Sequence, residues 1–175
     1  SYLGDCPICC LPLSLDPKKS VPYYCCSKLV CKGCTTANMM RQLDEGAPNG
    51  CPFCRQLYSK SEEESERQNK KRFEANDPLA LREAGMKHFG DGDYDRAFEY
   101  FTKAADFGDV EAQFNLSLMY REGEGVEKDK GKETYHLEEA AIGGHPEARH
   151  MLGCNEGENG RPDRAVKHWI IAAKL

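Results

Sequence analysis

Four pairs of cysteines, eight sulfurs within the first 58 residues, constrain this chain more than any other feature. Three pairs share one spacing: Cys6-Pro7-Ile8-Cys9, Cys31-Lys32-Gly33-Cys34 and Cys51-Pro52-Phe53-Cys54. The fourth pair, Cys25 and Cys26, is adjacent in sequence. A two-residue gap lets two thiolates turn inward from one tight knuckle, at the roughly 2.3 Å that a zinc–sulfur bond requires. Eight ligands suffice for two tetrahedral ions. Residues 1–58 hold too little apolar surface to fold on hydrophobicity alone, as is usual for units this small. Bound zinc would supply the missing free energy, and the metal-free segment is expected to be largely unfolded.

Disulfides are the competing use of ten cysteines. A secreted framework spreads its cysteines along the fold and follows a signal peptide. No apolar signal core precedes Cys6, and no run approaches the roughly 18 apolar residues of a membrane span. The expectation is zinc, in a reducing, intracellular compartment, cytoplasmic or nuclear. Charge argues against a simple nucleic-acid binder. Residues 1–58 carry a net +2 before metal loading, and the remainder carries −7. Eight thiolates and two zinc ions bring the loaded head to about −2. Neither part offers a dominant positive field for phosphates.

Residues 59–76 form a charged neck with five acids and five bases. Ser61 with Glu64 makes a capping box. Glu63 to Arg67 and Glu66 to Lys70 are i, i+4 pairs in the favoured order, and Lys70, Lys71 and Arg72 lie late. These details predict a helical linker, with a solvated flexible tether as the alternative.

From Asp77 the chain repeats itself. Asp77-Pro78-Leu79-Ala80, Asp109-Val110-Glu111-Ala112 and His145-Pro146-Glu147-Ala148 each open a unit. The units end at Ala104-Ala105, Ala140-Ala141 and Ala172-Ala173. Prolines 78 and 146 suit a first helical turn. The openings are 32 and then 36 residues apart, and the four extra residues belong to the Gly123-Glu124-Gly125-Val126 loop. Phe101, Leu137 and Trp169 fall at equivalent places in the second helix of each unit. Leu81, Ala84, Gly85 and His88, and again Leu116, Met119 and Tyr120, lie at helical spacing, while Tyr94, Phe98 and Phe101 fill wider gaps. Helix, glycine turn, helix at this period predicts an all-α solenoid, because one helix pair cannot hide its own apolar stripe. The boundaries are 77–108, 109–144 and 145–175. The chain does not begin with Met, and its third unit ends on a second helix without a polar cap. A longer protein, or another chain covering that helix, is expected.

Two resemblances follow from these residues. Ala112 to Tyr120, Gly123-Glu124-Gly125-Val126, Asp129, and Glu139-Ala140-Ala141 through Gly144 resemble a Sel-one-like repeat, a relative of tetratricopeptide repeats. The ligand order of the head, with loops of fifteen and sixteen residues between outer and inner pairs, resembles a RING finger in an all-cysteine form. Cys25-Cys26 replaces that family's Cys-x-His step, and Lys28 stands where many fingers place a histidine. The implied fold is a small α+β cross-brace domain with two structural zinc ions, followed by the helical repeats. By resemblance, Cys6, Cys9, Cys31 and Cys34 hold one ion, and Cys25, Cys26, Cys51 and Cys54 hold the other. Cys10 is a spare thiol, and Cys154 reads as a packed small residue.

The RING resemblance implies a ubiquitin ligase that holds a loaded ubiquitin-conjugating enzyme in a reactive pose, without a covalent intermediate of its own. Ile8, Pro52 and Phe53 would form the apolar landing surface, and Arg55 would bridge enzyme and ubiquitin through its planar fork. Local packing around zinc remains open for Ile8 and Phe53, and a solvated charge for Arg55. The helix after Cys34, near Met39, Met40 and Leu43, is open between core and docking groove. Four-cysteine sites leave no position for water, so the metal is expected to be structural. No nucleophile elbow, His-Glu-x-x-His or phosphate loop is present. The repeats would bind a protein substrate or adaptor. A non-enzymatic zinc scaffold, and a lipid or nucleic-acid binder on a related knuckle fold, are the alternatives.

Overall fold

The structure is a computed structural model that describes residues 3–14, 16–23, 25–58 and 61–174, without the side chains of Pro17, Glu62, Ser65, Glu66 and Asn69. The expected Glu66–Lys70 pair, the first residues of the neck (Ser59 and Lys60) and Leu175 therefore lie outside the described residues. The chain divides into two compact units, Leu3–Ala75 and Asn76–Leu175.

The first unit is built on three short returns of the chain. Strands β1 (Ser20–Tyr23) and β2 (Lys28–Cys31) pair antiparallel, with Ser20 opposite Cys31 and Tyr23 opposite Lys28. Isolated bridges close two further hairpins, Asp5 with Pro12 and Gly50 with Leu57. Among the described residues, the buried cluster is Cys6, Leu13, Tyr23, Val30 and Cys51, with Leu3, Val21 and Leu29 packed partly buried against it. At roughly 1.5–3 kcal/mol for each large apolar side chain, three such residues cannot offset the ordering entropy of the whole unit.

Helix α1 (Lys32–Glu45) starts on the sulfur of Cys31, which accepts from the Cys34 N–H at 3.5 Å. It stops at Gly46, whose left-handed backbone (φ 60°) closes the last turn. Its inward side is polar. Asn38 Nδ2 and Gln42 Nε2, one turn apart, both donate to the carbonyl of Gly50, at 3.4 and 3.0 Å. Met39, Met40 and Leu43 point outward and are more than half exposed. These three apolar residues thus belong to the surface.

Helix α2 (Glu62–Glu74) occupies the charged neck. Ser61 Oγ caps it by accepting from the Glu64 N–H at 3.3 Å. Arg72, nearly buried, donates to Ser27 Oγ at 3.5 Å and so ties this helix to the turn between β1 and β2.

The second unit contains six helices in three pairs: α3 (Pro78–Gly90) with α4 (Tyr94–Asp106), α5 (Val110–Glu122) with α6 (Lys130–Ile142), and α7 (Pro146–Glu158) with α8 (Pro162–Ala172). Each helix packs chiefly on its sequence neighbours, as in a quasi-one-dimensional stack. Aspartates 77, 93, 109 and 129 cap α3 to α6 through backbone N–H groups, and His145 caps α7. Alanines 97, 104, 105, 112, 140, 141 and 148 allow close helix approach, and Phe101, Leu116, Met119 and Leu137 fill the spaces between them. Trp169 departs from its equivalents. Phe101 and Leu137 are fully buried, whereas Trp169 is 39% exposed. Helices α4 and α6 are each covered by the next helix, while α8 packs chiefly on α7 among the described elements.

Candidate metal centres

Three turns carry six of the eight sulfurs, while Cys31 and Cys34 sit where β2 runs into the first turn of α1. In the first, Cys6 N–H donates to Leu11 O at 2.8 Å and Cys10 N–H returns to Cys6 O at 2.9 Å. In the second knuckle Cys51 N–H donates to Gln56 O at 2.8 Å and Arg55 N–H to Cys51 O at 3.0 Å. The β1–β2 turn brings Cys26 N–H to Tyr23 O at 3.3 Å. The residue after the last cysteine of each turn is left-handed: Cys10 at φ 57°, Ser27 at 52° and Arg55 at 60°. That reversal folds each turn back on itself and aims both of its sulfurs to one side. It costs a non-glycine residue roughly 1–2 kcal/mol, a strain the surrounding unit must hold.

The result is two groups of sulfurs, one drawn from the first turn and the β2–α1 junction, the other from the β1–β2 turn and the last knuckle. Cys6, Cys9, Cys31 and Cys34 place their sulfurs within 4.8 Å of one another, and so do Cys25, Cys26, Cys51 and Cys54. Individual separations are 3.8 Å for Cys9–Cys31, 3.7 Å for Cys26–Cys51 and 3.4 Å for Cys25–Cys54. A tetrahedral ion with bonds of roughly 2.3 Å sets its ligand sulfurs about 3.8 Å apart. A disulfide needs about 2.05 Å, and all ten cysteines are free thiols. The chemistry of the donor sets therefore fits two divalent, thiophilic ions, and both groups can hold one.

Without a metal, the sulfurs share their protons unequally. Burial discourages ionisation of Cys6, but N–H groups of Cys9, Cys31 and Ile8 overcome it and lower the thiol to about 6. Cys51 is likewise lowered against burial, by the N–H groups of Cys54 and Phe53. Burial and the neighbouring sulfurs push Cys26 up to about 11 and Cys34 up to about 12, and Cys25 is raised as well. Each cluster thus holds one sulfur whose backbone N–H contacts favour the thiolate, Cys6 and Cys51, beside sulfurs (Cys34, Cys25 and Cys26) whose ionisation a nearby cation would assist.

The remaining residues singled out in the sequence divide by position. Cys10 is exposed and lies outside both groups. Lys28 is no ligand: its Nζ stands 5.5 Å over the ring of Phe53, a cation–π contact. Ile8 and Phe53 are 42% and 46% exposed, Arg55 is exposed, and Pro52 is half-buried. Leu11 and Leu57, beside the two knuckles, are also exposed. Sequence reasoning missed Asn38, Gln42 and Arg72, polar residues that hold the head together. Asn38 and Gln42 at i, i+4 on a helix was the available signal. In the repeats, Cys154 Sγ lies 3.6 Å from His150 Nε2 one turn earlier. His168 is half-buried, with its Nδ1 enclosed and unbonded among the described atoms.

Comparison with known proteins adds to the second unit. The Sel1 repeat model matches residues 78–109, 110–145 and 146–175, each one residue later at its start than the sequence pattern suggests. A crystal structure of a Sel1 repeat protein from Oxalobacter formigenes aligns with a TM-score of 0.56 at 30% identity, over 63% of this chain and 89% of that one. DAP3-binding cell death enhancer 1 of Rattus norvegicus is 38% identical over 60 residues, which are 34% of this chain and 12% of that protein. HcpC of Helicobacter pylori (strain 26695) is 40% identical over 52 residues, 30% of this chain and 18% of that protein. The chain thus spans less than a fifth of the length of either curated relative. No described helix is long and apolar enough to cross a membrane.

Proposed function

The chain belongs to the Sel1 repeat family, and from that premise we propose that it couples a partner-binding solenoid to a two-zinc head of the RING type. The head would recruit a ubiquitin-conjugating enzyme and the repeats a protein substrate or adaptor. The observation that carries this reading is the alternation of the two sulfur groups: first and third pairs together, second and fourth pairs together. Crossed wiring of this kind makes one rigid body from two knuckles and the helix between them. It leaves no open coordination position, so zinc acts structurally. Activity would then be positional, with Ile8, Pro52 and Phe53 landing the conjugating enzyme and Arg55 steadying its ubiquitin. The outward Met39, Met40 and Leu43 of α1 extend the apolar surface available for such docking. Ten unpaired thiols suit a reducing, intracellular compartment, cytoplasmic or nuclear.

A second reading is a scaffold without ligase activity. It is favoured by the mammalian relative, whose name describes binding to another protein. Both readings keep the repeats as the partner-binding part, as stacked helix pairs commonly serve. A ligation assay with a panel of conjugating enzymes separates them. The ligase reading expects self-ubiquitination that falls about tenfold or more in Ile8→Ala and in Arg55→Ala, a loss of about 1.4 kcal/mol, with zinc content unchanged. Silence across the panel from a zinc-loaded chain selects the scaffold.

A further inference from the structure

Helix α8 rests on α7 through Ala165, which is buried, and Trp169, whose indole lies against Gly153. The side turned away carries an apolar ridge, Val166, Ile170 and Ile171, which are 47%, 50% and 43% exposed. Stacking of repeats does not call for Ile170 and Ile171. The residues that follow Phe101, Leu137 and Trp169 are Thr102 and Lys103 in α4, Glu138 and Glu139 in α6, and Ile170 and Ile171 in α8. Although α4 and α6 are each covered by a following helix, Lys103, Glu138 and Glu139 stay exposed and Thr102 half-buried. A further helix laid on α8 in the same way covers Trp169 and leaves these two isoleucines largely in water.

Opposite charges close the two ends of the ridge. Asp163, Val166, Ile170 and Lys174 recur at steps of three and four residues, so one helical face carries all four. Lys174 continues the last turn, its N–H donating to Ile171 O at 3.0 Å. Asp163 and Lys174 are exposed, and neither makes an ion pair among the described residues. They stand about 16 Å apart along the axis at the usual helical rise. The face reads acid, apolar, apolar, base. It complements itself only when one copy is reversed, because side by side in one direction acid meets acid and base meets base.

We propose that two copies of the chain pair through α8, antiparallel about a two-fold axis, with the apolar ridges packed together and Asp163 of each copy facing the partner's Lys174. The symmetry makes the two ion pairs equivalent and closes the assembly at two copies. A second copy uses both signs of charge on the face. An anionic lipid surface or an acidic helix takes Lys167 and Lys174 but is repelled by Asp163 beside them. Three apolar side chains from each copy fall short of the roughly 1,200–2,000 Å² of a standard interface, so the dimer is weak. It stands apart from the ligase and scaffold readings, neither of which requires it.

The test is sedimentation equilibrium of the zinc-loaded chain at low salt, from about 10 µM to about 1 mM, where a weak dimer should build up. Ile170→Glu inserts the residue type that the middle repeat carries at that place, Glu138. The repeats should therefore melt as before, while association falls about tenfold or more. Asp163→Lys alone and Lys174→Asp alone should each weaken association about fivefold or more. An equal mixture of these two variants should recover the parent's association, because each chain supplies the charge that the other lacks. A monomer throughout the range would overturn the dimer. Association indifferent to Ile170→Glu would overturn the α8 contact, and a mixture no stronger than its components would overturn the antiparallel register. Binding to phosphatidylserine vesicles that needs Ile170, by a chain that stays monomeric, would assign the ridge to a lipid surface instead.

Discussion

His145 stacks on Phe114, with ring centroids 4.3 Å apart and planes 23° from parallel. The equivalent junction one repeat earlier joins Asp109 to Arg82 at 3.2 Å. Both His145 and Asp109 cap the first helix of their repeat, through the N–H groups of Ala148 at 3.3 Å and Ala112 at 2.8 Å. The solenoid therefore makes one joint by two chemistries, a charged cap against a guanidinium and an aromatic cap against a phenyl ring.

Breaking the aromatic joint should loosen the third repeat. His145→Ala removes a cap of about 1 kcal/mol and a stacked pair of about 0.5–1.5 kcal/mol. Denaturant unfolding should show a loss of about 1.5–2.5 kcal/mol. His145→Asp alone keeps a cap but faces Glu111, whose carboxylate lies 3.4 Å from the present imidazole. Adding Phe114→Arg recreates the first junction, so the double variant should recover more than the two single changes predict. Strict additivity would refute the equivalence of the two joints.

Gly85 admits no side chain opposite Phe101. A Cβ there would lie 2.7 Å from both Cδ1 and Cε1 of the ring. Gly153 meets the indole of Trp169 in the same way, and the middle repeat carries the smaller Leu137 where its register partner is Ser117. Gly85→Ser should cost about 1–3 kcal/mol by overpacking. Combined with Phe101→Leu, the serine itself should cost less than it does opposite phenylalanine. A thermal-melt cycle of the four proteins checks the coupling, and independence of the two sites would contradict the packing described.

Much of this was legible in the sequence because it lies in local spacing. The capping Asp77, Asp109 and His145, the alanine pairs, and Phe101 with Leu137 report helices and their buried stripe directly. Trp169 shows where periodicity stops informing: its position in the repeat is equivalent, but its burial depends on what packs against α8. The paired spacing of the cysteines announced metal chemistry, and their grouping came only through a family resemblance. Coordinates were needed for Asn38, Gln42 and Arg72, whose contacts bridge 8 to 45 residues of chain. Beyond the i, i+4 spacing of Asn38 and Gln42, nothing in the local sequence marks those contacts. Lys28 similarly gains its meaning from Phe53, which local pattern cannot pair with it.

Acid should weaken the middle repeat through His136. Burial holds its imidazole below the ordinary range, Lys132 lowers it further, and Glu139 partly opposes them. Its Nδ1 lies 2.7 Å from Gln113 Oε1 and its ring faces Tyr120. The native state therefore binds the extra proton less readily than the unfolded chain does. Stability is fully present above the unfolded pKa of about 6.5 and declines as pH falls below it toward the native value. Equilibrium unfolding at a series of pH values, with His136→Gln as control, should show a shallower acid decline in the variant. An unchanged profile would remove His136 as the cause.

The crossed grip of the eight sulfurs is tested most directly by native mass spectrometry of the reduced chain. The account predicts two zinc ions in the parent protein. Replacing Cys9 and Cys31 together with alanine should remove only one ion, because both belong to one group; replacing Cys9 and Cys54 should remove both. One ion or none in the parent, or two ions lost from the Cys9 and Cys31 double variant, would contradict the arrangement.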